Sequence, residues 1–242
     1  SKHDTADKKG NTAGFLFFET SEGYQYRSID SLLDQKPKRS LLLTDSVEYN
    51  DRSYGGKILE IDFANQSNAL TKLRSGVINE LVTFSTRDRI FNKKAKRPQS
   101  KANIGKEFAT YNKKFKSCVT RTTFAMTDEG SQKTEGTTKQ QISKNSKKNY
   151  DIDNILNQSI SRYNQIDSQQ SSVVIAGDFT LHAGDVIFID IQSLSNKDRV
   201  DKFVGGKYII VSLCHHMDST GVFTKLNIAR DKFLRSGSPS PN

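Results

Sequence analysis

Three groups of residues in this chain have the types and spacing that chemistry uses. Cys214-His215-His216, with Asp218 close behind, puts a thiol, two imidazoles and a carboxylate on one short run, as a nucleophile or a metal centre would need. On an extended strand, however, Cys214 and His216 share one face and His215 takes the other. A structural zinc site needs four ligands, and no second Cys/His pair lies nearby. The acids of Gly177-Asp178 and Gly184-Asp185 form a second group. Glycosidases work with carboxylates about 5–10 Å apart, but Asp beside Gly is ordinary turn chemistry, and the turn reading is preferred. The third group is basic: Lys93, Lys94, Lys96 and Arg97, then Lys113, Lys114 and Lys116 with Tyr111 and Phe115 between them. Interleaved cations and aromatics suit a single-stranded nucleic acid. Phe108, Tyr111 and Phe115 also recur at helical spacing, so a packed helix with solvated lysines accounts for them too. No nucleic-acid module motif accompanies them. Gly55-Gly56 and Gly205-Gly206 lack the lysine and hydroxyl that complete a phosphate loop. The residues thus assign no catalytic group, no metal ligand and no cofactor, and leave the basic clusters as a candidate contact segment.

The elements that would carry these residues are mostly strands. Val173 to Ala176, Val186 to Ile191, Tyr208 to Val211 and Val222 to Ile228 are short β-rich runs. Gly177-Asp178, Gly184-Asp185, Gly205-Gly206 and Asp218-Ser219-Thr220-Gly221 punctuate them, the pattern of a sandwich or barrel. In the last run Val222, Thr224, Leu226 and Ile228 share parity, which predicts one covered face. Upstream, Phe15 to Phe18 and Tyr24 to Arg27 flank Thr20-Ser21-Glu22-Gly23 as a hairpin. A short helix begins at a Ser28 cap and is broken at Lys36-Pro37. Ile58 to Phe63 and Val77 to Phe84 read as strands, and Asn68 to Ser75 as a short helix ended by Gly76. Ser131 to Asn149 is polar enough to predict an exposed loop or disorder. From Asp151, the residues Ile152, Ile155, Leu156, Ile160, Tyr163 and Ile166 lie on one helical face, with Asp151 and Asp153 well placed at its N-terminus.

Two stretches carry a resemblance. Gly177, Asp178, Leu181, Gly184, Asp185, Val186 and Ile187, then Gly206 to Leu213 with His215, then Phe223 to Leu226 with Ile228, Arg230 and Asp231, resemble the tube β-barrel of phage baseplate central hub proteins. Phe17 to Leu32 resembles the same family, whose more distant members are late-control tail proteins and type VI secretion spike proteins. The resemblance implies a non-enzymatic virion protein of a contractile tail, assembled in the bacterial host cytoplasm and placed in the baseplate. Three copies would form a ring of similar barrels between tail tube and central spike, with DNA only in transit through its channel. Its partners would be itself, the tube and spike proteins and other baseplate proteins. Gly177, Asp178, Gly184, Asp185, Gly206, Tyr208, His215, Thr224, Arg230 and Asp231 would be framework residues. The family usually carries a first barrel upstream, so the chain is expected to be a fragment or processed product; it also opens without Met on a polar run, Ser1 to Asn11.

Composition narrows the other classes. Of the 242 residues 34% are hydrophobic and the net charge is +10; the mean hydropathy is −0.65. Residues Asn92 to Lys148 hold 15 Lys or Arg against 4 Asp or Glu, so almost the whole excess sits in one segment. Such a segment takes nucleic acid, an anionic membrane or an acidic protein face, and a solvated, partly disordered insertion accounts for it equally well. Two unclustered cysteines give no disulfide framework, and no apolar run approaches the ~20 residues of a membrane span. The expected fold is mainly β with minor α: an antiparallel, tail-tube-like barrel, discontinuous in sequence. Residues 1–54 form a hairpin and helix of a hub accessory domain, 55–91 and 172–235 the two parts of the barrel, 92–171 a basic insertion with a helix at 151–166, and 236–242 a flexible tail. Two other functions stay open: a nucleic-acid-binding protein using 92–148, and a tail-associated hydrolase using His215 or the Gly-Asp acids.

Overall fold

The computed structural model describes residues 14–43, 56–62, 79–86, 89–96, 121–127, 135–145, 155–156, 159–160, 162–163, 166, 169–191, 204–219 and 221–231. Strands dominate. The N-terminal hairpin is β1 (Phe15–Thr20) and β2 (Gly23–Ser28), paired antiparallel in the register Phe17↔Tyr26 and Thr20↔Gly23. Helix α1 (Ile29–Leu33) starts as the sequence predicts, with the Ser28 hydroxyl accepting from the Ser31 N–H. Its buried Ile29, Leu32 and Leu33 each contribute roughly 1.5–3 kcal/mol of apolar burial.

Six strands close into a barrel in the order β10-β11-β8-β4-β3-β9. They are β3 (Arg39–Leu43), β4 (Gly56–Asp62), β8 (Gln169–Ala176), β9 (Val186–Ile191), β10 (Gly206–Asp218) and β11 (Gly221–Arg230). Most pairs are antiparallel; β3 runs parallel to both β4 and β9 and so closes the ring. The mainly β barrel expected from the sequence is therefore present. Its interior is filled: Leu41, Ile58, Val173, Ile175, Leu181, Ile187, Ile189, Tyr208, Ile210, Leu226 and Ile228 make one core. A small barrel packed in this way holds side chains rather than a passage. The predicted alternation on β11 holds, with Thr224, Leu226 and Ile228 buried and Lys225 and Asn227 exposed; Val222, at the strand's start, is exposed.

A second core lies outside the barrel wall. Ile29, Leu32 and Leu33 of α1 pack on Val186, Ile209 and Ala229, with Leu16 and Phe18 of β1 and Ile166 against them. Strand β9 is thereby covered on both faces, which is why Val186 to Ile189 reads as a continuous apolar run rather than an alternating one. Two bulges interrupt the wall, at Ile210/Ser212 and Ile58/Glu60, and the residues they skip, Val211 and Leu59, are exposed.

Three expectations need correction. The strand at 79–85 does not enter the barrel. It is β5 (Asn79–Ser85), the centre of a separate three-stranded sheet between β6 (Ile90–Lys96) and β7 (Arg121–Met126). The barrel takes β3 instead, from the part read as accessory domain: Arg39–Leu43 pairs along its whole length with β9, and Leu41 and Leu42 with β4. The stretch read as exposed loop contains helix α2 (Thr138–Asn145). Thr137 and Gln140 cap each other reciprocally, N–H to side chain in both directions, which stabilises a helix start without apolar burial. The described residues 155–156, 159–160 and 162–163 are helical, as the periodicity predicts. The short helix at 68–75 and the tail from 236 lie outside the described residues.

Candidate functional site: three polar junctions on the barrel

The predicted framework residues gather at three junctions. The first joins β8, β11, β10 and β3. Gly177 donates its N–H to Val222 O at 2.8 Å, and a Cβ there would lie 2.5 Å from Val222 Cγ1, so only glycine lets the strands approach this closely. The Asp178 N–H donates to Thr224 Oγ1 at 3.0 Å, and that hydroxyl also pairs with His215 Nδ1 at 2.9 Å. Asp178 Oδ1 accepts from both the N–H and the hydroxyl of Thr180, and Oδ2 from Arg39 Nε at 3.0 Å. Burial works to raise the Asp178 carboxyl, but the Thr180 hydrogen bonds and the Arg39 charge outweigh it and hold the group below its ordinary value. The His215 ring lies against Phe179, centroids 4.7 Å apart. His215 faces inward and Cys214 and His216 face outward, as parity requires. His216 approaches Asp218, at 3.5 Å, on the exposed side.

The second junction ties the β9 turn to the segment after α1. Gly184 has φ 89° and donates to Ile210 O, while its carbonyl accepts from Gln35 Nε2. A Cβ on Gly184 would meet Phe18 Cζ at 2.8 Å, so this glycine also seats the hairpin. Asp185 Oδ2 accepts from Lys38 Nζ at 2.8 Å and from the His182 N–H at 2.9 Å. His182, which the sequence reading passed over, stands 3.8 Å from Asp185 and 4.0 Å from Glu22 of the hairpin turn. Its imidazole is flanked by these carboxylates and by the Lys38 amine, 3.5 Å from Nδ1; among the described residues no hydroxyl or thiol bonds to it. No group of His, Cys, Asp and Glu among the described residues has the arrangement of a metal site.

The third junction is buried and the most highly charged. Arg230, fully buried, donates to Gln169 Oε1 at 2.7 Å and to Gly205 O at 2.9 Å, and its guanidinium lies 4.8 Å from the centroid of the Tyr208 ring. Tyr208 donates to Val204 O at 2.6 Å. Gly206, with φ 122°, opens β10 beside them. Arg162, also fully buried, bridges Asp30 of α1 at 3.1 Å and Asp231 at the end of β11 at 3.3 Å. Nothing in the local sequence marks Arg162, because its partners are 132 and 69 residues away. The only early signal is position: Arg162 lies seven residues after Ile155, at the edge of the apolar face of the predicted helix, and beside Tyr163, whose hydroxyl bonds both N–H and carbonyl of Phe15.

The basic candidates are only partly placed. Lys93 is exposed on β6, opposite Val82. Lys94 and Lys96 are on the same strand, while Arg97, Lys113, Lys114 and Lys116 lie outside the described residues. No described helix is long and apolar enough to cross a membrane.

The described residues thus form a closed, mainly β barrel with a hairpin and a separate three-stranded sheet, and Asp178, Asp185, His215, Arg162 and Arg230 are engaged in the junctions of the barrel. Comparison with known proteins finds no matching family model and no matching curated protein. Among solved structures it is similar to the tail protein from Neisseria meningitidis MC58, with a TM-score of 0.39 and 8% sequence identity over 81% of this chain and 45% of that one. The chain spans under half the length of that protein.

Proposed function

We propose that this chain is a structural component of a phage tail baseplate hub, three copies forming a ring that joins tail tube to central spike and leaves a channel for DNA. One observation carries the reading. The residues by which the sequence resembles the hub family are those that hold the barrel together: Gly177, Asp178, Thr224 and His215 at one junction, Gly184 and Asp185 at the next, Tyr208, Arg230 and Asp231 at the third. Asp178, Asp185 and His215, the groups a hydrolase could use, are engaged in binding one element to another, as a scaffold requires. The filled barrel interior means that a channel would run between copies, not through one. A cyclic trimer uses heterologous interfaces that close after three copies.

The chain would act without turnover and without a cofactor, and its partners would be tube, spike and neighbouring baseplate proteins. The test is location. Gold-labelled antibody against the chain should mark the spike-proximal end of purified tails in electron micrographs. Label along the whole tube, on the capsid, or absent from tails overturns the proposal.

A further inference from the structure

Two cavities adjoin on the outside of the barrel wall. The first, about 340 Å³, lies between Leu16 and Phe18 of β1, Leu32 of α1, and Ile209, Val211 and Ala229 of the wall. The second, about 310 Å³, lies over Ser172, Ser212 and Asn227. Gln170 and Val211 line both, so the two meet. The β10 bulge makes the meeting point. Strands β8, β11 and β10 stand in register as Gln170↔Ala229↔Ile209 and then as Ser172↔Asn227↔Ser212, and the bulge residue Val211, 58% exposed, comes between these rows. Ile209 and Ala229 lie under the hairpin, whereas the second row carries only hydroxyls and an amide. Asn227 Nδ2 donates to Ser212 Oγ at 2.9 Å. That bond orients the amide and leaves its carbonyl oxygen, its second N–H and the Ser212 proton for another partner. Asp62 of β4 stands opposite Ser172 and extends the row by a carboxylate. None of the described residues lining either cavity is charged, in a chain of which 26% is.

This chemistry selects the occupant. An apolar slot with uncharged walls excludes an ionised group, whose desolvation nothing there offsets. Asp62, at the end of the polar row, disfavours an anion further. An extended peptide held through its main chain needs an open strand edge, and β11 is paired here with β10 on one side and β8 on the other. Hydroxyl and amide side chains about 4.5–5.5 Å apart on neighbouring strands suit a ligand with several hydroxyls of its own. We propose that this groove binds a small uncharged glycoside. Its sugar hydroxyls lie along Ser172, Asn227 and Ser212, with Asp62 as the acceptor at the end, and its apolar substituent enters the slot beneath the hairpin. The volume of the slot is at the low end of small-molecule sites, which suits one short chain or ring. The site lies within one chain and stands whether or not copies join.

The experiment follows backbone amide signals of the isotope-labelled full chain by NMR during titration with octyl β-D-glucoside, kept below its micelle concentration. Glucose, octanol and octyl sulfate are the comparisons. Octyl glucoside should give saturable shifts at Gln170, Ser172, Val211, Ser212 and Asn227, and each comparison should bind about tenfold more weakly or worse. Val211→Trp fills the meeting point from an exposed position and should abolish the saturable shifts. Ser172→Ala combined with Asn227→Ala, both on the outer face, should weaken octyl glucoside about tenfold and leave octanol unchanged. That split separates recognition of a sugar from partition into an apolar slot. Octanol or octyl sulfate binding as tightly as the glycoside overturns the proposal. So do an absence of saturable shifts, shifts confined to the exposed Phe17 and Tyr24 face of the hairpin, and a double variant that loses glycoside and octanol equally.

Discussion

Replacing the buried Arg162 with Met should destabilise the fold strongly. The side chain is fully buried and its guanidinium spans Asp30 at 3.1 Å and Asp231 at 3.3 Å. Methionine fills much of the volume and removes the cation, leaving two carboxylates buried near one another with one fewer donor to each. Breaking a buried ion pair from one side typically costs about 3–5 kcal/mol. For a chain of this size each kcal/mol lowers Tm by roughly 2–4 °C, so the expected fall is roughly 6–20 °C. Against a total stability of about 5–15 kcal/mol the loss is large but leaves a measurable transition. Guanidinium unfolding of wild type, Arg162→Met and the triple variant that adds Asp30→Asn and Asp231→Asn gives the needed comparison. The amides remove the uncompensated charge, so the triple variant should recover about half of the loss or more. A cost under about 1 kcal/mol for Arg162→Met, or no recovery in the triple variant, would refute the view that this bridge fastens α1 to the end of β11.

Further outcomes follow from the other junctions. Thr224→Val keeps the shape but leaves the Asp178 N–H without its acceptor and His215 Nδ1 without its hydroxyl; a loss of about 1–3 kcal/mol is expected in urea melts, with Thr224→Ser much milder. Because the Asp178 carboxyl is held below its ordinary value, its contribution to stability is present above the unfolded-state pKa and is lost as pH falls through the lower folded one. Stability should therefore drop below about pH 4, and Asp178→Asn should flatten that part of the profile. Replacing residues 79–127 by a Gly/Ser linker removes the second sheet whole and should leave the barrel's cooperative unfolding in place. Cutting only 93–148 would strip β5 of the half of β6 after Asn92 and of all of β7, exposing buried Leu81 and Val82, and should aggregate.

Local rules made much of this fold legible. Alternation on β11, the Ser28 cap, the hairpin turn at Gly23 and the turn glycines at 177 and 184 each depend on residues within a few positions of one another, and each stands where the sequence placed it. Strand β3 was hidden because Arg39–Leu43 is short, follows Pro37 closely, and is buried on both sides of the wall, so Ser40, Leu41 and Leu42 show no alternation. Strand β5 was assigned to the wrong sheet because an apolar run fixes burial but not its partner; Leu81 and Val82 are both buried whichever sheet holds them. Helix α2 was missed because polarity was weighed and the Thr137–Gln140 capping box was not. Of the junctions, the turn acids were visible and their partners were not. Arg39, Lys38 and Arg162 meet Asp178, Asp185 and Asp231 across 139, 147 and 69 residues, separations at which spacing carries no signal.

The proposed function turns on three copies of this chain joining in one ring. Native mass spectrometry of the intact chain, alone and with the tube and spike proteins of the same tail, tests it most directly. The account predicts a complex holding three copies of the chain, formed alone or on adding a partner, which dissociates as salt or denaturant weakens the contacts between copies. A chain that remains a single copy with both partners present would contradict it.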